Sequence, residues 1–231
     1  MSEPSFSEET HSAVGARAAG RDDQERIGAR DPELNCGHAA QPLRRPGVET
    51  GAYRSEVAVR SANSRLEKKH FYKIVQSPVG ALKLVASEDG LAAILWENDD
   101  PHRVRLNIVA EDKGHAVLLE TERQLQEYFD GRRKSFRLRL DFAGTQFQCR
   151  VWSALLEIPF GETRSYAEIA RRIGSPKAVR AVGAANGRNP ISIVAPCHRV
   201  IGANGKLTGF AGGLTTKAFL LGLEGAGTPT I

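Results

Sequence analysis

The sequence predicts two small structured segments of different class behind an unstructured extension. Residues 71–144 are expected to form an α/β unit, a small β-sheet with one helix. Residues 145–231 are expected to form a mainly α domain containing a helix-turn-helix. Residues 1–70 are expected to be disordered. Three observations carry this reading. Before Phe71 the only aromatic residues are Phe6 and Tyr53, set in a stretch rich in Ser, Ala, Gly, Arg and Glu with no sustained periodicity. From Phe71 short alternating apolar runs are separated by turn signals, and from Phe147 apolar residues recur at helical spacing with cap residues at their ends.

In the first segment, Phe71 to Val75, Leu82 to Val85 and Leu91 to Trp96 read as strands, the last two divided by Glu88-Asp89-Gly90. His115 to Phe129 reads as a helix with Leu118, Leu125, Tyr128 and Phe129 on one face and Gly131 at its end. Phe136-Arg137-Leu138-Arg139-Leu140 alternates apolar and basic residues, as a half-buried strand would. This segment shows no reactive constellation and is expected to be a scaffold.

In the second segment, Phe147, Val151, Trp152, Leu155 and Leu156 make a helical stripe stopped near Pro159 and Gly161. Ser165 and Glu168 have capping-box spacing, so a helix follows from there to Ile173, closed by Gly174. Ser175-Pro176 then looks like the cap and first turn of another helix running to about Asn186, with Val179 and Val182 toward the core. That second helix is poor in side chain: Arg180 stands out among Ala181, Gly183, Ala184 and Ala185. Small residues admit a close partner. One long cation on such a face suits insertion into a narrow groove and filling the place of an unstacked base. Packing on another helix is the alternative.

The charge pattern fits either a solvated basic face or an electrostatic footprint for nucleic acid. The net charge is +5, and residues 145–231 hold ten Lys/Arg against four Asp/Glu, while the two earlier segments are nearly balanced. The three cysteines, Cys36, Cys149 and Cys197, are too few and too scattered for a disulfide framework, which fits a reducing compartment. Cys36-Gly37-His38 lacks the other ligands of a structural zinc site, so no metal is expected. No apolar run approaches signal-peptide length near the start or the roughly 18 residues of a membrane span. A cytoplasmic protein is expected, nuclear if the host is eukaryotic, with no membrane partner.

The chemistry concentrates in Pro196-Cys197-His198-Arg199-Val200, just after the apolar run Ile191 to Ala195. A thiol becomes a useful nucleophile as thiolate, and an imidazole is the usual base. Adjacent residues on a strand face opposite ways, so pairing Cys197 with His198 needs a sharp turn or a bridging water. Cys149, on the apolar helix, reads as core.

Taken with Phe147-Gln148 to Trp152, Ile158-Pro159-Phe160-Gly161, Ser165-Tyr166, Arg180-Ala181-Val182-Gly183, Asn189-Pro190, Gly209-Phe210-Ala211-Gly212-Gly213-Leu214 and Glu224, this run resembles the O6-alkylguanine-DNA alkyltransferases, also called methylated-DNA–protein-cysteine methyltransferases. The likeness runs from about Phe71 to Gly225. It implies DNA repair by direct, irreversible, stoichiometric transfer of an alkyl group from O6-alkylguanine, with O4-alkylthymine as a further candidate, in duplex DNA to Cys197. It implies a single-turnover enzyme, monomeric and without cofactor. Cys197 would be the acceptor, His198 its base through a water, Glu224 the residue orienting the imidazole and Asn189 a brace for the turn. Tyr166 would donate to the flipped guanine. Arg180, Ala181, Gly183 and Arg199 would meet DNA, and Phe210, Ala211 and Gly212 would wall the alkyl pocket. Phe210 replaces a tyrosine common in the family, and the small Ala211 and Gly212 suggest room for groups larger than methyl. The extension lacks the four cysteines of the zinc-bound methylphosphotriester domain of some relatives, so phosphotriester repair is not expected. The competing readings are a non-catalytic alkyl-lesion binder, a helix-turn-helix DNA-binding regulator and a cysteine hydrolase. Retention of Cys197 argues against the first, and the lone Arg180 on its bare helix is unexplained by the last.

Overall fold

Alternation along the first segment becomes a meander of three antiparallel strands in the computed structural model, which describes residues 68–226. The expected extension and the Cys36-Gly37-His38 reading lie outside the described residues, apart from positions 68–70. His70 already belongs to the sheet: β1 (His70–Ser77), β2 (Gly80–Ser87) and β3 (Gly90–Trp96) pair in sequence, with Ser77 opposite Gly80 and Ser87 opposite Gly90. Gly90 has φ +153°, and a Cβ there would stand 2.5 Å from the Arg139 carbonyl oxygen, so only glycine lets the two chains approach. A fourth strand, β4 (Ile108–Glu111), runs parallel to β1 at the sheet edge and completes the order β3-β2-β1-β4. It was not expected, because its Val109, Ala110 and Glu111 are exposed and leave no alternating pattern.

Helix α1 (Ala116–Phe129) covers the sheet with Leu118, Leu125 and Tyr128 buried, while Phe129 is only partly so. The expected strand at 136–140 is an extended segment instead. It makes one bridge, Leu140 to Leu91, flanked by hydrogen bonds from Leu91 N–H to Arg139 O and from Asp141 N–H to Leu91 O. Its alternation is still explained by burial: Leu138 and Leu140 point inward and Arg137 and Arg139 outward.

The second segment begins with α2 (Gln146–Leu156), whose Thr145 and Gln148 form a full capping box. β5 (Arg164–Ser165) leads into α3 (Tyr166–Arg172), capped by Ser165 and Glu168 as expected. The next helix, α4 (Val179–Gly187), starts later than Ser175-Pro176 suggested: those residues form a turn in which Ala178 N–H donates to Ser175 O at 2.9 Å, and α4 has no side-chain cap. Val182, Ala185 and Asn186 face inward, whereas Val179 is exposed, contrary to expectation. Trp152 clamps α2 to α4 by donating Nε1–H to Ala185 O at 2.8 Å. β6 (Val200–Ile201) pairs with β5, and α5 (Gly213–Leu223) ends the described chain.

One apolar core runs through both segments, joining Leu84, Ile94 and Tyr128 with Trp152, Leu155, Val182 and Leu220. β3 is tied directly to the segment before Cys197, because Ile94 N–H donates to Pro190 O at 2.9 Å. The sheet therefore braces the reactive turn. Among the described residues, no helix is long and apolar enough to cross a membrane.

Candidate active site and nucleic-acid interface

Cys197 opens a single 3-10 turn, Cys197–Arg199, at the end of a tightly folded apolar loop. The loop turns back on itself through Ala195 N–H to Ile191 O at 2.9 Å and Cys197 N–H to Ala195 O at 2.8 Å. Ile193 has φ +71°, a left-handed conformation that a β-branched residue rarely adopts. Strain of this kind costs on the order of 1–3 kcal/mol and persists only when surroundings enforce it. Asn189 is one enforcer. Its Nδ2–H donates to Ala195 O at 2.7 Å and its Oδ1 accepts from Ile191 N–H at 3.1 Å, lacing the loop across its mouth.

The thiol is almost wholly buried. Burial pushes its pKa up, while Asn189, the Arg103 and Lys217 charges and Ser192 pull the other way without overcoming it. The resting group is therefore a thiol that needs a base.

His198 is the next residue in the chain. Its Nε2 lies 2.9 Å from Glu224 Oε1, and both side chains are fully buried. Burial lowers the imidazole pKa, and Glu224 offsets only part of that fall. A neutral ring donating from Nε2 to the carboxylate carries its lone pair on Nδ1. Nδ1 is buried and has no hydrogen-bond partner among the described residues.

Glu224 is held by more than His198. Tyr128 donates its hydroxyl to Oε1 at 2.7 Å. Arg199 donates Nε–H to Oε2 at 2.7 Å and Nη2–H to Oε1 at 2.9 Å. Burial pushes the carboxyl up, but the hydrogen bonds from His198 and Arg199, with their charges, outweigh it and hold the group well below the ordinary carboxylate range. Burial and the neighbouring carboxylate push the Tyr128 phenol far up, so it remains a donor.

These bonds correct one expectation. Arg199, expected among the DNA-contacting residues, is 6% exposed and donates Nη1–H to Ile158 O at 2.6 Å. It faces the protein because the buried Glu224 needs a permanent cation.

The structure brings Cys197, His198, Asn189 and Glu224 together. Phe210 stands beside them, its ring edge-on to His198 with centroids 6.4 Å apart and to Trp96 at 5.4 Å. A Cβ on Gly212 would meet the Trp96 ring at 2.8 Å, so the expected pocket loop, with Phe210, Ala211 and Gly212 half-buried, is pressed onto a tryptophan from the sheet. Tyr166 heads α3, and its hydroxyl accepts from Thr208 Oγ1 at 3.1 Å. Arg180 and Ala181 are exposed on α4, and Gly183 is half-buried with its Cα side toward the Tyr166 ring.

Sequence reasoning missed four supporting residues. Tyr128 read as core, and Trp96 as strand. Arg103 donates Nη1–H to Asn189 O while an ion pair with Asp99 fixes it. Lys217 is buried on α5, donating to Val200 O at 2.5 Å and Thr208 O at 2.9 Å, and burial lowers its pKa to about 8 against the pull of Cys197. A lone lysine within the apolar helix Gly213–Leu223 was the available signal for this last one.

Two family models match the chain. The "6-O-methylguanine DNA methyltransferase, ribonuclease-like domain" matches residues 70–142, and the "6-O-methylguanine DNA methyltransferase, DNA binding domain" matches residues 146–226. A methylated-DNA–protein-cysteine methyltransferase of Methanosarcina acetivorans is 51% identical over 159 residues, which is 68% of this chain and 99% of that protein. The constitutive methylated-DNA–protein-cysteine methyltransferase of Bacillus subtilis is 48% identical over 157 residues, 67% of this chain and 95% of its own length. Among solved structures, Mycobacterium tuberculosis OGT in complex with DNA is similar with a TM-score of 0.61 and 45% identity, over 68% of this chain and 93% of that one.

Proposed function

This chain belongs to the 6-O-methylguanine DNA methyltransferase family, and from that premise we infer that it repairs DNA by moving an alkyl group from O6-alkylguanine onto its own Cys197. The observation that carries the assignment of roles is the buried His198–Glu224 pair next in the chain to the buried Cys197, in which one imidazole nitrogen is anchored and the other is left unpartnered.

The thiol proton passes through a water to His198 Nδ1, and the imidazolium is stabilised by Glu224. The thiolate attacks the saturated alkyl carbon. A C–S bond forms, the C–O6 bond breaks, and its electron pair stays on the guanine oxygen. Tyr166 stabilises that developing charge by hydrogen bonding. The guanine anion takes up one proton and His198 gives one back through water, equal to the one the thiol released, so the step balances without a further reactant. A thioether is not undone by thiol exchange, so each molecule acts once.

The alkylated base lies in a stack and must be extruded first. Helices α3 and α4, joined by a short turn, serve as the helix-turn-helix, with α4 and its small outward residues Ala181 and Ala184 in the groove and Arg180 in the space the base leaves. Residues 145–231 bind DNA and accept the alkyl group, and residues 71–144 are their scaffold. The protein acts as a cytoplasmic monomer, and a pocket walled by Phe210 and the small Ala211 and Gly212 admits alkyl groups beyond methyl.

Intact-mass and peptide mass spectrometry after mixing with duplex containing O6-methylguanine tests this. One added methyl on Cys197, with one guanine restored per protein, is expected. A protein that binds the duplex and stays unmodified would instead be a lesion binder.

A further inference from the structure

Away from Cys197 a cavity of about 350 Å³ opens between the two segments. Its lining is cationic. His102, Arg103, Arg105 and Arg188 face it, together with Thr145 and Gln148 from the start of α2, and among the described residues no carboxylate lines it. Arg103 is partly committed, to Asp99 and to Asn189 O. Arg105 and Arg188 are exposed and make no ion pair or side-chain hydrogen bond among the described residues. Two uncommitted guanidinium groups converging on one cleft repel each other unless an anion lies between them, and their planar donor forks match tetrahedral oxyanions. The positive end of α2 adds to the same field.

We propose that this cavity is a phosphate-binding site, taking either a backbone phosphate of DNA or the phosphate of a small free anion. Its position gives binding a consequence. Arg188 and Pro190 both line the cavity and flank Asn189, which braces the loop leading to Cys197. An occupant therefore rests against the back of the reactive turn. The site does not depend on the alkyl-transfer reading, which the mass measurement scores separately.

The test titrates the full chain with inorganic pyrophosphate by calorimetry at fixed ionic strength, and measures duplex affinity against salt concentration. Both are repeated with the double variant Arg105→Ala/Arg188→Ala, whose thermal midpoint checks its folding. If free phosphate is the ligand, pyrophosphate binds saturably and the variant loses about tenfold in affinity or more. If the DNA backbone is the ligand, the slope of log affinity against log salt becomes shallower by about two in the variant. Pyrophosphate binding that survives both substitutions, or no pyrophosphate binding together with an unchanged slope, overturns the proposal.

Discussion

Cys149 and Cys197 are each 3% exposed, yet the chain treats them as different materials. Cys149 lies on α2 within an apolar stripe and packs as a small hydrophobe. Cys197 sits on a strained turn with Asn189, Ser192, Arg103 and Lys217 arranged to favour its ionised form, and with His198 next in the chain. Reactivity in this fold therefore does not follow exposure. What sets Cys197 apart in the proposed mechanism is its tightly folded loop, the Arg103 and Lys217 charges and the imidazole next to it in the chain.

The largest effect should come from exchanging the two sites' roles as targets. Cys197→Ala abolishes alkyl uptake, while Cys149→Ala retains one methyl per molecule and loses about 1 kcal/mol of stability, close to the worth of a buried methylene-sized group. Intact mass and thermal denaturation measure both. A methyl found on Cys149 of the Cys197→Ala protein would erase the contrast.

Glu224→Gln should come next. It leaves Arg199 buried without its counter-charge and weakens the hold on His198. Losing one partner of such a pair destabilises by about 3–5 kcal/mol. Losing the poised base slows transfer by about 10²–10⁴-fold, the range that general base catalysis supplies. Single-turnover rates on the folded fraction separate the two effects. Acid probes the same pair. His198 is held below its ordinary value of 6.5, so the folded state resists its protonation and stability falls as pH drops below 6.5. Glu224 is held below its ordinary 4.5, so its contribution is complete above that value and is lost at lower pH. The thermal midpoint should thus fall in two stages. His70, also lowered by burial, titrates in the upper stage too, so the difference between the wild type and His198→Gln isolates the active-site share.

Cys197 and His198 were legible because they sit in one short motif, while Asn189 and Glu224 were named only through the family resemblance. The rest was hidden for physical reasons. Tyr128 obeys the helical apolar period, and only its hydroxyl, reaching across the core to Glu224, does other work. Arg199 looked like a surface cation because a sequence does not show which charges fold inward. The same holds for the fold. β1 to β3 and the cap of α3 are written in local pattern. β4 depends on pairing with β1, 38 positions from His70 to Ile108, and the late start of α4 depends on how Ser175-Pro176 turns.

Arg180→Ala tests the exposed half of the comparison. Extruding a base costs a few kcal/mol. If Arg180 holds the gap, its loss should slow transfer from duplex by about 10–100-fold and leave reaction with free O6-benzylguanine base unchanged. Equal slowing of both would remove the finger role.

The smallest effect is expected at Gly183. A Cβ there would have only the Tyr166 ring within 4 Å, at 3.8 Å, which is ordinary contact, so nothing in the protein itself demands glycine in the middle of α4. Gly183→Ala should raise the stability of the free protein by about 0.5–1 kcal/mol, the usual gain from removing a helix glycine. The demand for smallness must then come from outside the chain. If α4 lies against a groove wall, the added methyl weakens duplex binding by about 1 kcal/mol, roughly fivefold, the low end for inserting a methyl into a packed contact. Denaturation and duplex titration of one variant would then move in opposite directions. A rise in stability with unchanged DNA affinity would place the groove contact on another face of α4.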